Sequence, residues 1–162
     1  MRENTPSIYF TQILRNAAPA AIAWIKGNSD NPQLSGSVKF YKTPYQGILI
    51  EAEIFGLPNI SKPGSSNYYA MHIHSNGDCS KAFTQTGEHF SKRELPHPEH
   101  SGDLLPLIGN QGYAWSAFYN KRINIEDIEN RSVVIHARPD DFTTQPSGNA
   151  GEKIGCGIIR LK

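Results

Sequence analysis

Long apolar runs are missing from this chain of 162 residues. The longest, Ala17 to Ile25, is broken by Pro19 and flanked by Arg15 and Lys26. That is far short of the roughly 20 residues a spanning helix needs, so no membrane partner is expected. A basic lead ahead of an apolar stretch is missing too, because Met1 to Asn16 is polar and mixed, unlike a secretory signal. On that ground an intracellular location is favoured over export, a signal already removed from the chain aside. Neither sign of charge dominates: 16 Lys and Arg face 15 Asp and Glu. With no basic stripe or like-charge run, nucleic acid is not an expected partner. Cysteine is scarce. Cys79 and Cys156 are the only two, and read alone they are free buried thiols, the ordinary state in a cytosolic protein. Helical periodicity is also lacking: no window of about 11 residues or more carries a helical stripe, and Ile123 to Ile128 offers one or two turns at most.

What is present points to strands. Ile48, Ile50, Ala52 and Ile54 alternate with Leu49, Glu51 and Glu53, the period of two of a half-buried strand. Similar runs occur at Ala21–Lys26, Ser35–Lys42, Tyr69–His74, Tyr113–Tyr119, Ser132–His136 and Cys156–Leu161. Turn-formers separate them, among them Gly27 to Pro32, Thr43-Pro44, Gly56-Leu57-Pro58, Gly109-Asn110 and Pro146 to Asn149. About seven or eight short strands with such connections predict an all-β sandwich or barrel. The length suits one domain, expected over residues 17–162 after an extension over residues 1–16. Within that extension, Ile8-Tyr9-Phe10 reads as an added edge strand or a contact for a partner. Two connections are unusually long, Ser75 to Asn110 and Ala137 to Gly155. Long ordered loops in compact domains are usually functional. Both begin directly after a histidine.

The chain has six histidines: His72, His74, His89, His97, His100 and His136. His72 and His74 end a predicted strand two positions apart, so both imidazoles share one face. His136 ends another strand. A compact loop series follows His89, running His89-x7-His97-x2-His100-x2-Asp103. A lone His-x-His is more often incidental than not, and a single histidine ending a strand is usually a satisfied polar residue. Here no histidine lies outside these places. Three imidazoles and a carboxylate match the donors of a tetrahedral zinc site. Imidazoles suit copper in both oxidation states, and a carboxylate suits zinc better than Cu(I). Two four-ligand sites would need eight donors, and the obvious set is seven. The count closes if His89 uses both ring nitrogens to bridge two metals.

These residues resemble the copper/zinc superoxide dismutase family over nearly all of Ala20 to Lys162. Met71 through Cys79 looks like the family's first copper-ligand strand and its loop cysteine. Gly87-Glu88-His89-Phe90 resembles the segment of the bridging histidine, and His100-Ser101-Gly102-Asp103-Leu104 the zinc end of that loop. Ser132 to His136 and Gly148 to Ile159 are similar to the fourth-ligand strand and the closing segment. The resemblance implies an eight-stranded antiparallel Greek-key barrel with two long functional loops, an architecture known for this family. It implies copper on His72, His74, His89 and His136, and zinc on His89, His97, His100 and Asp103. Asp140 would orient ligands of both metals, and Cys79 and Cys156 would form an intrasubunit disulfide. Lys153 would draw in the substrate, superoxide, since steering of a small anion by positive charge is an established property of these enzymes. The implied reaction takes two superoxide ions and two protons to dioxygen and hydrogen peroxide through alternate reduction and reoxidation of copper. His89 would carry a proton once its bond to reduced copper opens.

Three features depart from the family pattern. Lys153 stands where an arginine is usual, a mobile point charge in place of a rigid fork of donors. Only Pro98 and Glu99 separate His97 from His100, a tight segment stiffened by Pro96 and Pro98. The stretch from His136 to Lys153 is short beside that of the familiar eukaryotic enzymes, so the copper is expected to be more open. The rival readings are a non-catalytic copper- and zinc-binding relative, a zinc-only structural domain and a cupin-like barrel enzyme. The zinc-only reading leaves His72, His74 and His136 without a role, and the cupin reading has no place for the loop series. Oligomeric state, a homodimer included, stays open, because interface and core apolar residues look alike in sequence.

Overall fold

The structure is a computed structural model that describes residues 6–60 and 66–162. Its strands are β1 (Ala21–Gly27), β2 (Ser35–Lys42), β3 (Ile48–Phe55), β4 (Tyr68–Tyr69), β5 (Met71–His74), β6 (Leu107–Ile108), β7 (Ala114–Asn120), β8 (Ser132–His136) and β9 (Lys153–Leu161). Seven of them form one sheet in the order β5-β8-β9-β1-β2-β3-β7, and β4 pairs with β6. Every pairing is antiparallel. β4 and β5 are one strand interrupted at Ala70, where the Ala70 amide donates to Arg138 O and the Ala70 carbonyl accepts from His136 N. Its first half pairs with β6 and its second with β8. Since β6 runs into β7, the opposite edge, the sheet curls into a barrel. With β4 and β5 taken together, the nine strands reduce to the expected eight among the described residues.

The alternation read in β3 is the alternation of burial from Ile50 onward, while Leu49, on the outward set, is buried as well. Ile48, Ile50, Ala52 and Ile54 are buried, while Glu51 and Glu53 remain partly accessible. Phe40, Ile50, Met71, Ile73, Val133, Ile135 and Ile159 are fully buried in the same core. Each large aliphatic side chain removed from water is worth about 1.5–3 kcal/mol, so the barrel is a rigid support for what lies on it. The short helical turn expected near Ile123–Ile128 is α2, Ile125–Ile128, with Asp127 Oδ2 accepting from the Asn124 amide at 2.7 Å.

The N-terminal reading needs correction. Pro6–Asn16 is an α-helix, α1, not an edge strand. Proline suits a first helical turn, where its missing N–H costs nothing. None of the helix's residues is buried, and only Phe10, Ile13 and Leu14, on one side of it, are partly covered. It touches the barrel through a few rings: Phe10 stacks on Tyr119 at 4.8 Å, and Tyr9 and Phe10 meet Tyr45 edge-on at 6.1 and 5.9 Å. Among the described residues no helix is long and apolar enough to cross a membrane.

Candidate metal centre

β5 faces two ways. Met71 and Ile73 enter the core, which turns His72 and His74 outward under the two long loops. β8 pairs with β5 so that Val134 stands opposite His72 and Ser132 opposite His74. His136 follows on the same face. The first long loop folds back along β5 by main-chain bonds: Phe90 N to Ile73 O, Ile73 N to Gly102 O, and Ser75 N to Glu88 O. These bonds set His89 beside His74 and Asp103 beside His72.

Two groups of donors result. His72, His74, His89 and His136 form one; His89, His97, His100 and Asp103 form the other; within each, the ligand atoms lie within 4.8 Å of one another. His89 is common to both. Its ring centroid is 3.9 Å from that of His72, 4.9 Å from that of His74, and 5.6 and 5.7 Å from those of His97 and His100.

Outer hydrogen bonds decide which nitrogen each ring has to spare. His72 Nε2 is 2.7 Å from Asp140 Oδ2 and His97 Nε2 is 2.8 Å from Asp140 Oδ1, leaving Nδ1 on both rings. His74 Nδ1 donates to Gly87 O at 2.8 Å and His136 Nδ1 to Gly151 O at 3.2 Å, leaving two Nε2 atoms that face each other at 3.3 Å. Such partners fix tautomer and ring direction in metal sites. His72 Nδ1, His89 Nε2, His97 Nδ1 and His100 Nδ1 are buried with no hydrogen-bond partner. Orphans of that kind demand a cause, a bound ion among them. His97 Nδ1 and His100 Nδ1 stand 3.1 and 3.2 Å from Asp103 Oδ2 without being aligned as hydrogen bonds. Nitrogens close to a carboxylate but turned off its axis suit a cation shared between them.

Charge states agree with that chemistry, since metal ligation needs neutral imidazoles and ionised carboxylates. Burial, reinforced by neighbouring imidazoles and Lys153, pushes His74 down to about 2 and His136 down to about 3. Burial pulls Asp140 upward, but hydrogen bonds from His72, the Phe142 amide and His97 outweigh it and hold it at about 2. Burial is likewise outweighed at Asp103, which His89, His97 and His100 keep below the usual carboxylate range. Gly148, at φ +67°, passes so close to this network that a Cβ would collide with Asp140 Oδ1.

A cleft of about 270 Å³ opens over the first group, walled by His74, His89, His136, Pro146, Gly151 and Lys153. Lys153 pairs with His136 where the β8–β9 register slips. Its Nζ donates to Thr86 Oγ1 at 2.7 Å, and burial lowers its pKa. Cys79 and Cys156 are joined in a disulfide, so the free-thiol reading gives way. Thr86, Arg122 and Gln145 escaped the sequence reading. They act through hydroxyl, guanidinium and amide contacts with distant backbone or side chains, which leave no spacing to read.

A β-barrel that carries two donor sets on its outer face, joined through one imidazole, defines a protein built for a pair of metal ions. A family model described as copper/zinc superoxide dismutase matches residues 34–159, and the chain belongs to that family. It is 31% identical over 139 residues to the extracellular superoxide dismutase [Cu-Zn] of Mus musculus, an alignment covering 80% of this chain and 55% of that protein. The chain thus spans about half the length of that relative. It is 31% identical over 158 residues to superoxide dismutase [Cu-Zn] 3 of Arabidopsis thaliana, covering 88% of this chain and 90% of that one. The solved structure of the clock protein EA4 superposes with a TM-score of 0.73 at 25% identity, covering 89% of this chain and 96% of that chain. Copper and zinc fit the family and both donor sets.

Proposed function

We propose that the chain is a superoxide dismutase, with copper held by His72, His74, His89 and His136 and zinc by His89, His97, His100 and Asp103. The observation that carries this reading is the pair of donor sets sharing His89. Bound there, copper supplies a one-electron couple and zinc a fixed positive charge. The balance is two superoxide ions and two protons in, one dioxygen and one hydrogen peroxide out. His89 Nδ1 is 2.7 Å from Asp103 Oδ1, and its Nε2 is buried with no hydrogen-bond partner. Nε2 can therefore hold a proton and release it to the reacting dioxygen species. Asp140 keeps its two rings in one tautomer throughout. A cleft of about 270 Å³ has room for a diatomic anion, and Lys153 makes its wall positive.

The test is superoxide decay by stopped flow, on protein loaded with one copper and one zinc per chain. A rate near about 10⁸–10⁹ M⁻¹s⁻¹, a ceiling that superoxide dismutase is known to reach, is expected. His72→Ala should lose copper and activity, and His100→Ala should lose zinc while keeping copper. Loaded protein no faster than His136→Ala with the same copper content would favour a non-catalytic metal-binding relative. Identical metal loss in His72→Ala and His100→Ala would sink the assignment of two distinct sites.

Lys153 gives a separate expectation. Lys153→Gln should slow the reaction several-fold at low ionic strength, and the gap to the parent should close as salt rises past about 0.15 M, where the Debye length is roughly 8 Å. Equal rates at low salt would mean that its amine, tied to Thr86, does not steer the substrate.

A further inference from the structure

Three carbonyls of the segment bearing His97, His100 and Asp103 converge on a single side chain. Arg122 stands in the turn after β7, its own amide donating to Asn120 Oδ1 at 2.7 Å. Its Nη1 donates to Pro98 O at 3.0 Å and to His100 O at 3.1 Å, and its Nη2 donates to Asp103 O at 2.8 Å. Two of these carbonyls belong to proposed zinc ligands and the third to the residue between two of them. Arg122 pairs with no carboxylate among the described residues. Three of its five N–H donors go to this segment.

We infer that Arg122 is a positioning residue for the zinc half of the centre, setting the spacing of His97, His100 and Asp103 through their backbone. The inference rests on the zinc reading proposed above. Only Pro98 and Glu99 separate His97 from His100, so the segment has little slack, and its carbonyls must point away from the donor cluster. Internal bonds hold part of it: Glu99 N to Pro96 O, Asp103 N to His100 O, and His100 N to Asp103 Oδ2. Pro98 O and Asp103 O lie outside those bonds. A planar guanidinium reaches several acceptors at once in a fixed fork, which an ammonium cannot do. Charge alone works the other way, because a guanidinium beside a cation site repels the cation. Coulomb's law therefore predicts tighter zinc without Arg122, and backbone positioning predicts weaker zinc. The sign separates the two.

The experiment measures zinc affinity of the full chain by competition with a chromophoric chelator, for the parent, Arg122→Gln and Arg122→Lys. It is paired with copper affinity, the absorption bands of Co(II) placed in the zinc site, and melting of the metal-free protein. Arg122→Gln should weaken zinc about 10- to 100-fold, the usual cost of losing an outer partner. Arg122→Lys should fall between, the Co(II) bands should shift, and copper affinity should stay within about threefold. Zinc bound as tightly as in the parent, or tighter, would overturn the inference. So would equal loss of both metals with a collapse of the metal-free melting temperature, which marks general destabilisation. A parent protein that takes up no zinc, or His100→Ala binding zinc like the parent, would fail the zinc reading itself and not the role of Arg122.

Discussion

Asp140→Asn is expected to weaken both metals at once, by about 10- to 100-fold each, and to depress superoxide decay accordingly. The reason lies in the two rings it serves. Its carboxylate accepts from His72 Nε2 and His97 Nε2 and also from the Phe142 amide at 2.7 Å. All three partners are donors, and the side chain is 1% exposed, so bulk solvent does not reach it to replace a lost acceptor. A carboxamide has one oxygen and one NH₂. Wherever the NH₂ points, it meets a donor, and a ring facing it must move its proton to Nδ1, the nitrogen proposed to face the metal. The remaining ring loses the charge that strengthened its bond. Variants of the unshared donors should each affect one metal and His89 variants both, whereas Asp140 would touch both through atoms outside either donor set. Metal content after chelator challenge measures it. Parent-like affinity for copper and zinc in Asp140→Asn would show that the tautomers are set elsewhere.

Much of the barrel could be read directly because its strands have one wet and one dry side. The isoleucines of β3 alternate with glutamates, and that pattern has one structural meaning. β6 carries no such signal, since two paired residues inside a long connection show no period. The break at Ala70 is equally silent, so the closure of the sheet had to come from the fold. α1 was missed for a different physical reason. Its ring contacts are on Tyr45 and Tyr119, and burial covers only Phe10, Ile13 and Leu14 in part, a row too short to stand out in sequence.

The centre divides in the same way. The histidines and Asp103 are legible because their own side chains are the candidate donors and each sits at a strand end or in a short loop series. Asp140 became readable only through family resemblance, since in sequence it is one aspartate of a turn. Gln145 was beyond reach. It accepts from the His97 amide at 3.0 Å and donates to the His97 carbonyl at 2.7 Å, from 48 positions away. Nothing in a glutamine's neighbours announces that it will grip a backbone across two loops. Residues that would touch the metal themselves leave a motif, and those that act through another residue, Asp140, Thr86 and Gln145 alike, do not.

Breaking the disulfide by Cys79→Ser should cost stability and loosen the two halves of the centre unequally. The bond closes a sequence separation of 77 residues, for which the chain-entropy model gives about 4.5 kcal/mol. In a protein of this size each kcal/mol moves the melting temperature by about 2–4 °C, so a fall of roughly 9–18 °C is expected for the metal-free protein. Cys156 sits on β9 with Phe83 and Val134 packed around it, and Cys79 anchors the start of the first long loop. That loop runs on to Thr86, which receives Lys153, and to Gly87, whose carbonyl holds His74 Nδ1. Freeing it should therefore disturb His74 and the cleft wall first. His97, His100 and Asp103 keep Arg122, Gln145 and Asp140, none of which depends on the disulfide. Copper affinity should thus drop more than zinc affinity, read by chelator competition on the same sample. An unchanged melting temperature, or zinc lost ahead of copper, would place the anchor of the His74 side elsewhere in the fold.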